Sequence, residues 1–414
     1  MNTKLQFLSF FRRAWLALVC FCLLGGVLAS CESDSDSDAP GTTERTLFMY
    51  FPWSNNLTDY FYTNVADMEK AVSRRGLSGE RVVVFFSTGS HEAELYEIVC
   101  HKGRCEHRML KQYTDPPFTT AAGITSILND VKQFAPASAY SMAIGCHGMG
   151  WLPVEESVRT LSSFRYHWDA TDGPLTRFFG GTSPAYQTDI TTLAEGIAGA
   201  GLHMDYILFD DCYMSTVEVA YELRHVTDYL IASTCEMMAY GMPYELVGGY
   251  LLGAPDYEAV CRGFYEFYSE YPIDVQGKIY HCGTLAVTDC SQLDALAEVM
   301  AEINSRYTLT DGLNALQDLD GYRPTIFYDY GDYVEKLCPD EALKALFTEQ
   351  LGRTVLYKVH TGFYYTAVKN GDGVGAYPIR TFSGLSISDP SLNARALSNR
   401  EDTSWWKATH RPSH

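Results

Sequence analysis

The sequence predicts an α/β protein: a mainly parallel sheet with helices on both faces, followed by a mixed α/β C-terminal extension. Two observations carry this. Several strand-length segments, such as Val82 through Phe86, are apolar without alternation, so both of their faces must be buried. Between them lie segments whose apolar residues recur every three or four positions, the spacing of one helix face. Buried strands alternating with amphipathic helices are the pattern of parallel strands joined by crossovers. No internal repeat is visible.

The elements follow in order. Residues 45–53 form an apolar strand that Pro52 interrupts. Leu57, Phe61, Val65, Met68 and Val72 mark a helix face. Residues 81–88 read as a fully buried strand. Residues 94–99 and 106–110 flank Lys102-Gly103 and predict a hairpin. Ile124, Ile127, Leu128, Val131 and Phe134 mark a second helix. Residues 138–146 read as a strand, 190–197 as a helix, 204–210 as a strand, 216–225 as a helix and 228–234 as a strand. Beyond residue 249 the pattern is mixed, with a helix near 291–307 and strands near 283–289, 364–368 and 384–389. The divisions expected are 1–30, 31–44, 45–249 and 250–414, the last an extension of the same fold or a small second domain.

The 414 residues are 46% hydrophobic and 20% charged, with a formal net charge of −20. That apolar fraction supports a real core and excludes wholesale disorder. The acidity argues against nucleic acid as a partner, because phosphate binding needs concentrated Lys and Arg. Basic peptides, cations and neutral substrates remain open.

The first segment is an address. Lys4, Arg12 and Arg13 precede an apolar run over 14–29, shorter than the about 20 residues of a membrane span. Leu28-Ala29-Ser30-Cys31 resembles a bacterial lipobox, which implies cleavage before Cys31 and a lipid on its thiol. The acidic Ser/Asp run after it has nothing to bury and reads as a solvated tether. Such runs resemble surface-export tags of some Gram-negative lipoproteins; the plainer reading is a linker. The expectation is an outer-membrane lipoprotein, at the cell surface or facing the periplasm, held to the membrane by its lipid. Of the 12 cysteines, Cys20 and Cys22 leave with the signal and Cys31 is lipidated. The remainder is odd in number, so at least one cysteine stays out of any disulfide.

Open α/β sheets place their sites beyond the carboxyl ends of strands. Two such ends carry reactive side chains. One is Cys146-His147-Gly148-Met149-Gly150-Trp151; the other is Phe209-Asp210-Asp211-Cys212-Tyr213-Met214-Ser215. With Met49-Tyr50 and Ser54-Asn55-Asn56-Leu57 before them, and Ala232-Ser233, Glu236, Gly241, Pro243-Tyr244 and Ser383-Gly384-Leu385-Ser386 after them, the sequence resembles the clostripain family of cysteine peptidases. That family shares its sheet with caspases, legumains and gingipains. The resemblance implies an endopeptidase cutting after Arg, or Lys, with Cys212 as nucleophile, His147 as acid/base and Gly148 as oxyanion contributor beside the Cys212 N–H; with the lipobox, it would be lipid-anchored. It implies that Asp210 lines the pocket for the basic side chain, with Glu236 a weaker candidate. A strand-end Asp can instead cap the next helix; Ser215 is available for that task.

One residue departs from the family. Asp211 stands where a small residue is usual. Three readings are open for it: deepening the negative pocket, raising the Cys212 pKa, or holding a cation. The rival function that it motivates is a surface binding protein that kept the fold and lost activity. Roughly 152–186 is left as a long loop. Relatives often cut themselves there after a basic residue, and Arg159, Arg165 and Arg177 are the sites at hand, against an insertion that is never cut. The chemistry needs no cofactor; calcium activation is implied by some relatives, with no ligand set to name. Cys100 and Cys105 flank the hairpin turn, where a disulfide is preferred over a zinc site.

Overall fold

The computed structural model describes residues 42–154, 180–368 and 375–411. Residues 1–41, with Cys31, lie outside that description; the described residues from 42 on belong to one compact unit. Nine strands form its central sheet: β1 (Thr43–Phe51), β2 (Glu80–Ser87), β3 (Glu92–His101), β4 (Arg104–Thr114), β5 (Ala137–Ile144), β6 (Met204–Phe209), β7 (Thr227–Ala232), β8 (Thr284–Asp289) and β9 (Val355–His360). Their order is β9-β8-β7-β6-β5-β1-β2-β3-β4. The central strands β2, β1, β5, β6 and β7 are parallel to one another. Antiparallel pairs close both edges. The protein is therefore mixed α/β with a large, mostly parallel sheet.

Side-chain alternation explains why these strands are apolar throughout. Phe48, Tyr50, Val83, Phe85, Ile144 and Phe209 enter one core, where Ile124, Leu128, Leu193, Ile197, Leu223 and Met300 meet them. Leu47, Met49, Phe51, Val82, Val84 and Leu208 enter the other, against Phe61, Met68, Val72, Val247 and Phe264. A strand with a core on each face has few positions to give to a polar residue, and Thr46 of β1 is buried with its hydroxyl donating to the Ala135 carbonyl. Burying each such side chain contributes about 1.5–3 kcal/mol.

The helices are α1 (Thr58–Arg75), α2 (Ala121–Phe134), α3 (Ile190–Gly199), α4 (Val217–Leu223), α5 (Tyr244–Leu251), α6 (Tyr257–Glu270) and α7 (Leu293–Arg306), with Glu341–Thr354 and shorter ones after them. Asp59 in the first turn of α1 and Arg74 and Arg75 in its last complement the helix dipole. Three differences from the sequence reading have physical causes. Thr216, not Ser215, caps α4: its hydroxyl accepts from Val219 N at 3.1 Å, while Ser215 Oγ donates to the Gly384 carbonyl. The segment expected as a strand at 384–389 pairs only at Ser386–Ile387, because it is pinned beside Ser215. Helices α5, α6 and Glu341–Thr354 were not foreseen.

The hairpin follows its turn chemistry. Lys102 (φ 51°) and Gly103 (φ 78°) are both left-handed, as a two-residue hairpin turn of matching twist requires. This sets Cys100 opposite Cys105, and the two are joined in a disulfide. Their sulfurs are thereby unavailable to zinc. Among the described residues no helix is long and apolar enough to cross a membrane.

Candidate active site

Strands β1, β5 and β6 lie side by side and point the same way, with Tyr50 opposite Ile144 and Ile144 opposite Phe209. Their ends feed three short segments into one place. The backbone pairing runs past the strands: Gly145 N–H donates to Tyr50 O (3.0 Å) and Asp210 N–H to Ile144 O (2.8 Å). His147 and Cys212 thus leave neighbouring strands three residues beyond the last paired position of each.

Gly148 shows how close the two ends come. A β-carbon there would lie 2.2 Å from the Cys212 carbonyl oxygen and 3.0 Å from its backbone nitrogen. Only glycine lets the His147 segment touch the Cys212 segment, which is a packing reason for this residue beside any role for its N–H.

His147 is fully buried, and its Nε2 lies 2.7 Å from Asn56 Oδ1. An amide oxygen can only accept, so it holds the neutral ring as the Nε2–H tautomer, with the lone pair on Nδ1. The His147 N–H donates to Gly180 O at 3.2 Å. Asn56 follows β1 and supplies a third strand end. Sequence reasoning quoted it without a role; its signal was an amide directly after a strand neighbouring the histidine strand.

Cys212 is also fully buried. The Met237 N–H donates to its sulfur at 3.1 Å, and the sulfur lies 3.6 Å from the Met237 carbonyl oxygen. Asp211 turns the other way: Oδ1 accepts from the Cys146 N–H (2.6 Å) and Oδ2 lies 3.6 Å from Cys146 Sγ. The departure residue therefore ties the Cys212 segment to the His147 segment. Asp210 does not cap α4; its Oδ1 accepts from the Met242 N–H at 2.7 Å. Glu236 accepts from the Tyr213 hydroxyl (2.8 Å), Thr366 Oγ1 (2.7 Å) and the Ala367 N–H. It acts as a brace between the Cys212 segment and the strand Phe363–Thr366.

The remaining motifs support this arrangement. Trp151 Nε1 donates to Ser388 Oγ at 2.9 Å, and Ser386 N–H donates to Ser215 O at 3.0 Å, which packs the Ser383-Gly384-Leu385-Ser386 run behind the site. Burial pushes the thiols of Cys235, Cys261 and Cys282 up to about 12 and raises that of Cys290. Such thiols are poor nucleophiles. Cys282 and Cys290 enter opposite cores. Arg159, Arg165 and Arg177 lie outside the described residues. Among the described residues no three His, Cys, Asp or Glu side chains group as a metal site.

The sequence model of the clostripain family matches residues 49–342. A secreted C11 cysteine protease from Bacteroides thetaiotaomicron, "iotapain", is 54% identical, covering 89% of this chain and 100% of that one, with a TM-score of 0.80. A clostripain from Bacteroides thetaiotaomicron in complex with the peptide inhibitor BTN-VLTK-AOMK is 57% identical, covering 57% of this chain and 100% of that one, with a TM-score of 0.52. An inactive zymogen C11 protease from Parabacteroides distasonis is 26% identical, covering 90% and 99%, with a TM-score of 0.74. No curated protein matches the chain.

Proposed function

The chain belongs to the clostripain family of cysteine proteases, and from that membership we propose that it is an endopeptidase cutting after Arg or Lys with Cys212 as nucleophile. The observation that carries the reading is the contact between two strand ends: at Gly148 there is no room for a β-carbon against the Cys212 backbone. Groups that must exchange a proton need such fixed proximity.

The Cys212 thiol gives its proton to His147, and the sulfur attacks the substrate carbonyl to form an acyl-enzyme. His147 then protonates the leaving amine, and water releases the acid product. Asn56 keeps the imidazole in one tautomer and orientation, as the third member of a triad does. The N–H groups of Gly148 and Cys212 receive the oxyanion. Asp210, held on the Met242 N–H, supplies the negative charge for the basic side chain. A relative 57% identical is described with an inhibitor whose peptide letters end in lysine, which supports a basic residue before the cut. Asp211, engaged with Cys146, and Glu236, engaged with Tyr213, brace the site in this scheme and do not contact substrate.

His147, Cys212 and Asp210 are each 0% exposed, which fits a chain not yet matured, and a relative is described as an inactive zymogen. Self-cutting after Arg159, Arg165 or Arg177 belongs to the same proposal; Gly180, in the same 152–186 loop, accepts the backbone N–H of His147 on its carbonyl. Lipid attachment at Cys31 would hold the enzyme to the outer membrane. Incorporation of a labelled fatty acid, abolished by Cys31→Ala, tests it.

The central experiment offers Arg-, Lys- and Asp-ended reporter peptides to the protein, with and without a calcium chelator. Hydrolysis of the Arg and Lys reporters, lost in Cys212→Ala, is expected. Turnover that survives this substitution would sink the assignment. Binding of basic peptides without any turnover would favour a surface binding protein instead.

A further inference from the structure

We propose that Tyr213 and Glu236 form a clamp that sets the sulfur of Cys212 against the backbone N–H of Met237 and thereby tunes the reactivity of the nucleophile. Both are positioning residues in this scheme, which rests on Cys212 being the nucleophile.

Tyr213 has φ 59°, in the left-handed region that a bulky side chain occupies at a cost of about 1–3 kcal/mol. Its ring is fully buried and stacks on Phe327 at 5.1 Å. Its hydroxyl donates to Glu236 Oε1 at 2.8 Å. Burial raises its pKa well above the ordinary value, so it remains a donor at working pH. Glu236 is held in turn by Thr366 Oγ1 and the Ala367 N–H.

The backbones of these two residues also run side by side. Ser215 N–H donates to Ser233 O (2.9 Å) and Tyr213 N–H to Cys235 O (3.0 Å). The next contact along the same seam is the Met237 N–H to Cys212 Sγ, at 3.1 Å. A closed ring results. Cys212 is bonded to Tyr213, whose hydroxyl reaches Glu236; Glu236 is bonded to Met237, whose N–H reaches the Cys212 sulfur. An N–H aimed at sulfur favours the thiolate. The Tyr213–Glu236 bond fixes both chain segments one residue away from that contact, so it governs how well the N–H is aimed. The left-handed backbone at Tyr213 is what turns the ring toward Glu236 immediately after the nucleophile.

The test uses the full chain and two variants, Tyr213→Phe and Glu236→Gln. Alkylation of Cys212 by iodoacetamide is followed by mass spectrometry across pH, with Cys212→Ala as background and thermal melting as the check on folding. In Tyr213→Phe the midpoint of alkylation is expected to rise by about one pH unit, slowing the reaction near neutrality about tenfold. The kcat on an Arg reporter falls while KM stays within about twofold. Glu236→Gln keeps an acceptor oxygen for Tyr213 and should show a smaller shift in the same direction; it decides the matter if Tyr213→Phe does not fold. Midpoints equal to wild type in the folded variants would overturn the clamp. So would a Glu236→Gln protein that alkylates normally and loses only its affinity for Arg substrates, since Glu236 would then line the pocket. Alkylation reads the sulfur without peptide cleavage. A wild-type chain that alkylates with the expected variant shifts but cuts no peptide would therefore remove the peptidase function and keep the clamp.

Discussion

Asn56 decides which nitrogen of His147 is basic. Its Oδ1, 2.7 Å from Nε2, accepts a hydrogen bond from the ring and leaves Nδ1 as the basic nitrogen, the one that takes the thiol proton in the proposed mechanism. Asn56→Ala frees the ring to rotate and to change tautomer. We expect kcat to fall at least about tenfold, and by no more than the about 10²–10⁴ that positioned acid–base catalysis supplies, with KM little changed. Steady-state kinetics on an Arg reporter check this; an unchanged kcat would mean that the ring is held by other contacts. Asp210→Asn poses a separate question at the same scale. The amide oxygen can still accept the Met242 N–H, so the backbone is kept while the charge is removed. If Asp210 pairs with the substrate cation, kcat/KM for Arg peptides should drop about 30-fold or more, the cost of leaving a buried charge without its partner. An equal loss on peptides with an uncharged residue at that position would assign Asp210 to structure alone.

At the scale of elements, the strand ends of β5 and β6 touch through Gly148, and this contact makes a strong prediction. Gly148→Ala brings a β-carbon to 2.2 Å from the Cys212 carbonyl oxygen, so one segment must move. The overpacking should cost about 1–3 kcal/mol of stability. Misplacement of the reacting groups should cost about 100-fold in rate. Denaturant midpoints and kcat, measured together, separate the two effects. Helix α4, directly after the Cys212 segment, carries a second. Glu218 accepts the Ser388 N–H at 2.7 Å, and burial raises its pKa from 4.5 to about 7. The unfolded chain loses this proton near 4.5 while the folded chain keeps it until about 7. The native state therefore binds more protons in that window, and stability falls as pH rises through it, by roughly 3 kcal/mol at most. Glu218→Gln keeps the acceptor and removes the titration, so its urea midpoint should change less between pH 5 and pH 8 than that of wild type. The central strands, α1 and the β3–β4 hairpin were legible in the sequence because their signals are local: uninterrupted apolar runs, one helix face and a Lys-Gly turn. The other edge was only half legible: 283–289 read as a strand, but β9 did not, since the antiparallel pairing of β8 and β9 depends on distant connections. Helix α5 contains Gly248 and Gly249, which blunt its periodicity. The site divides in the same way. His147 and Cys212 announce themselves at the ends of buried strands. Asn56 meets His147 only through the register of β1 on β5, and Met237 contributes a backbone N–H that no side chain encodes.

At the scale of the whole molecule, the net charge of −20 acts beyond the pocket. A protein this acidic attracts a basic peptide before any contact forms, and the attraction is screened over about 10 Å at 0.1 M salt. The specificity proposed for Asp210 and attraction by the overall field can therefore be separated. An Arg reporter carrying extra lysines should lose kcat/KM several-fold as salt rises from about 0.01 to 0.5 M, because encounter is slowed. Its kcat at saturation should hardly change, because the bound side chain sits in a buried site where salt screens little. A reporter with the same Arg but extra glutamates should show the opposite slope, since screening relieves its repulsion. Stopped-flow binding and steady-state kinetics over the salt series measure both. Equal slopes for the two reporters would confine recognition of basic substrates to the pocket and leave the acidity of the chain without a part in it.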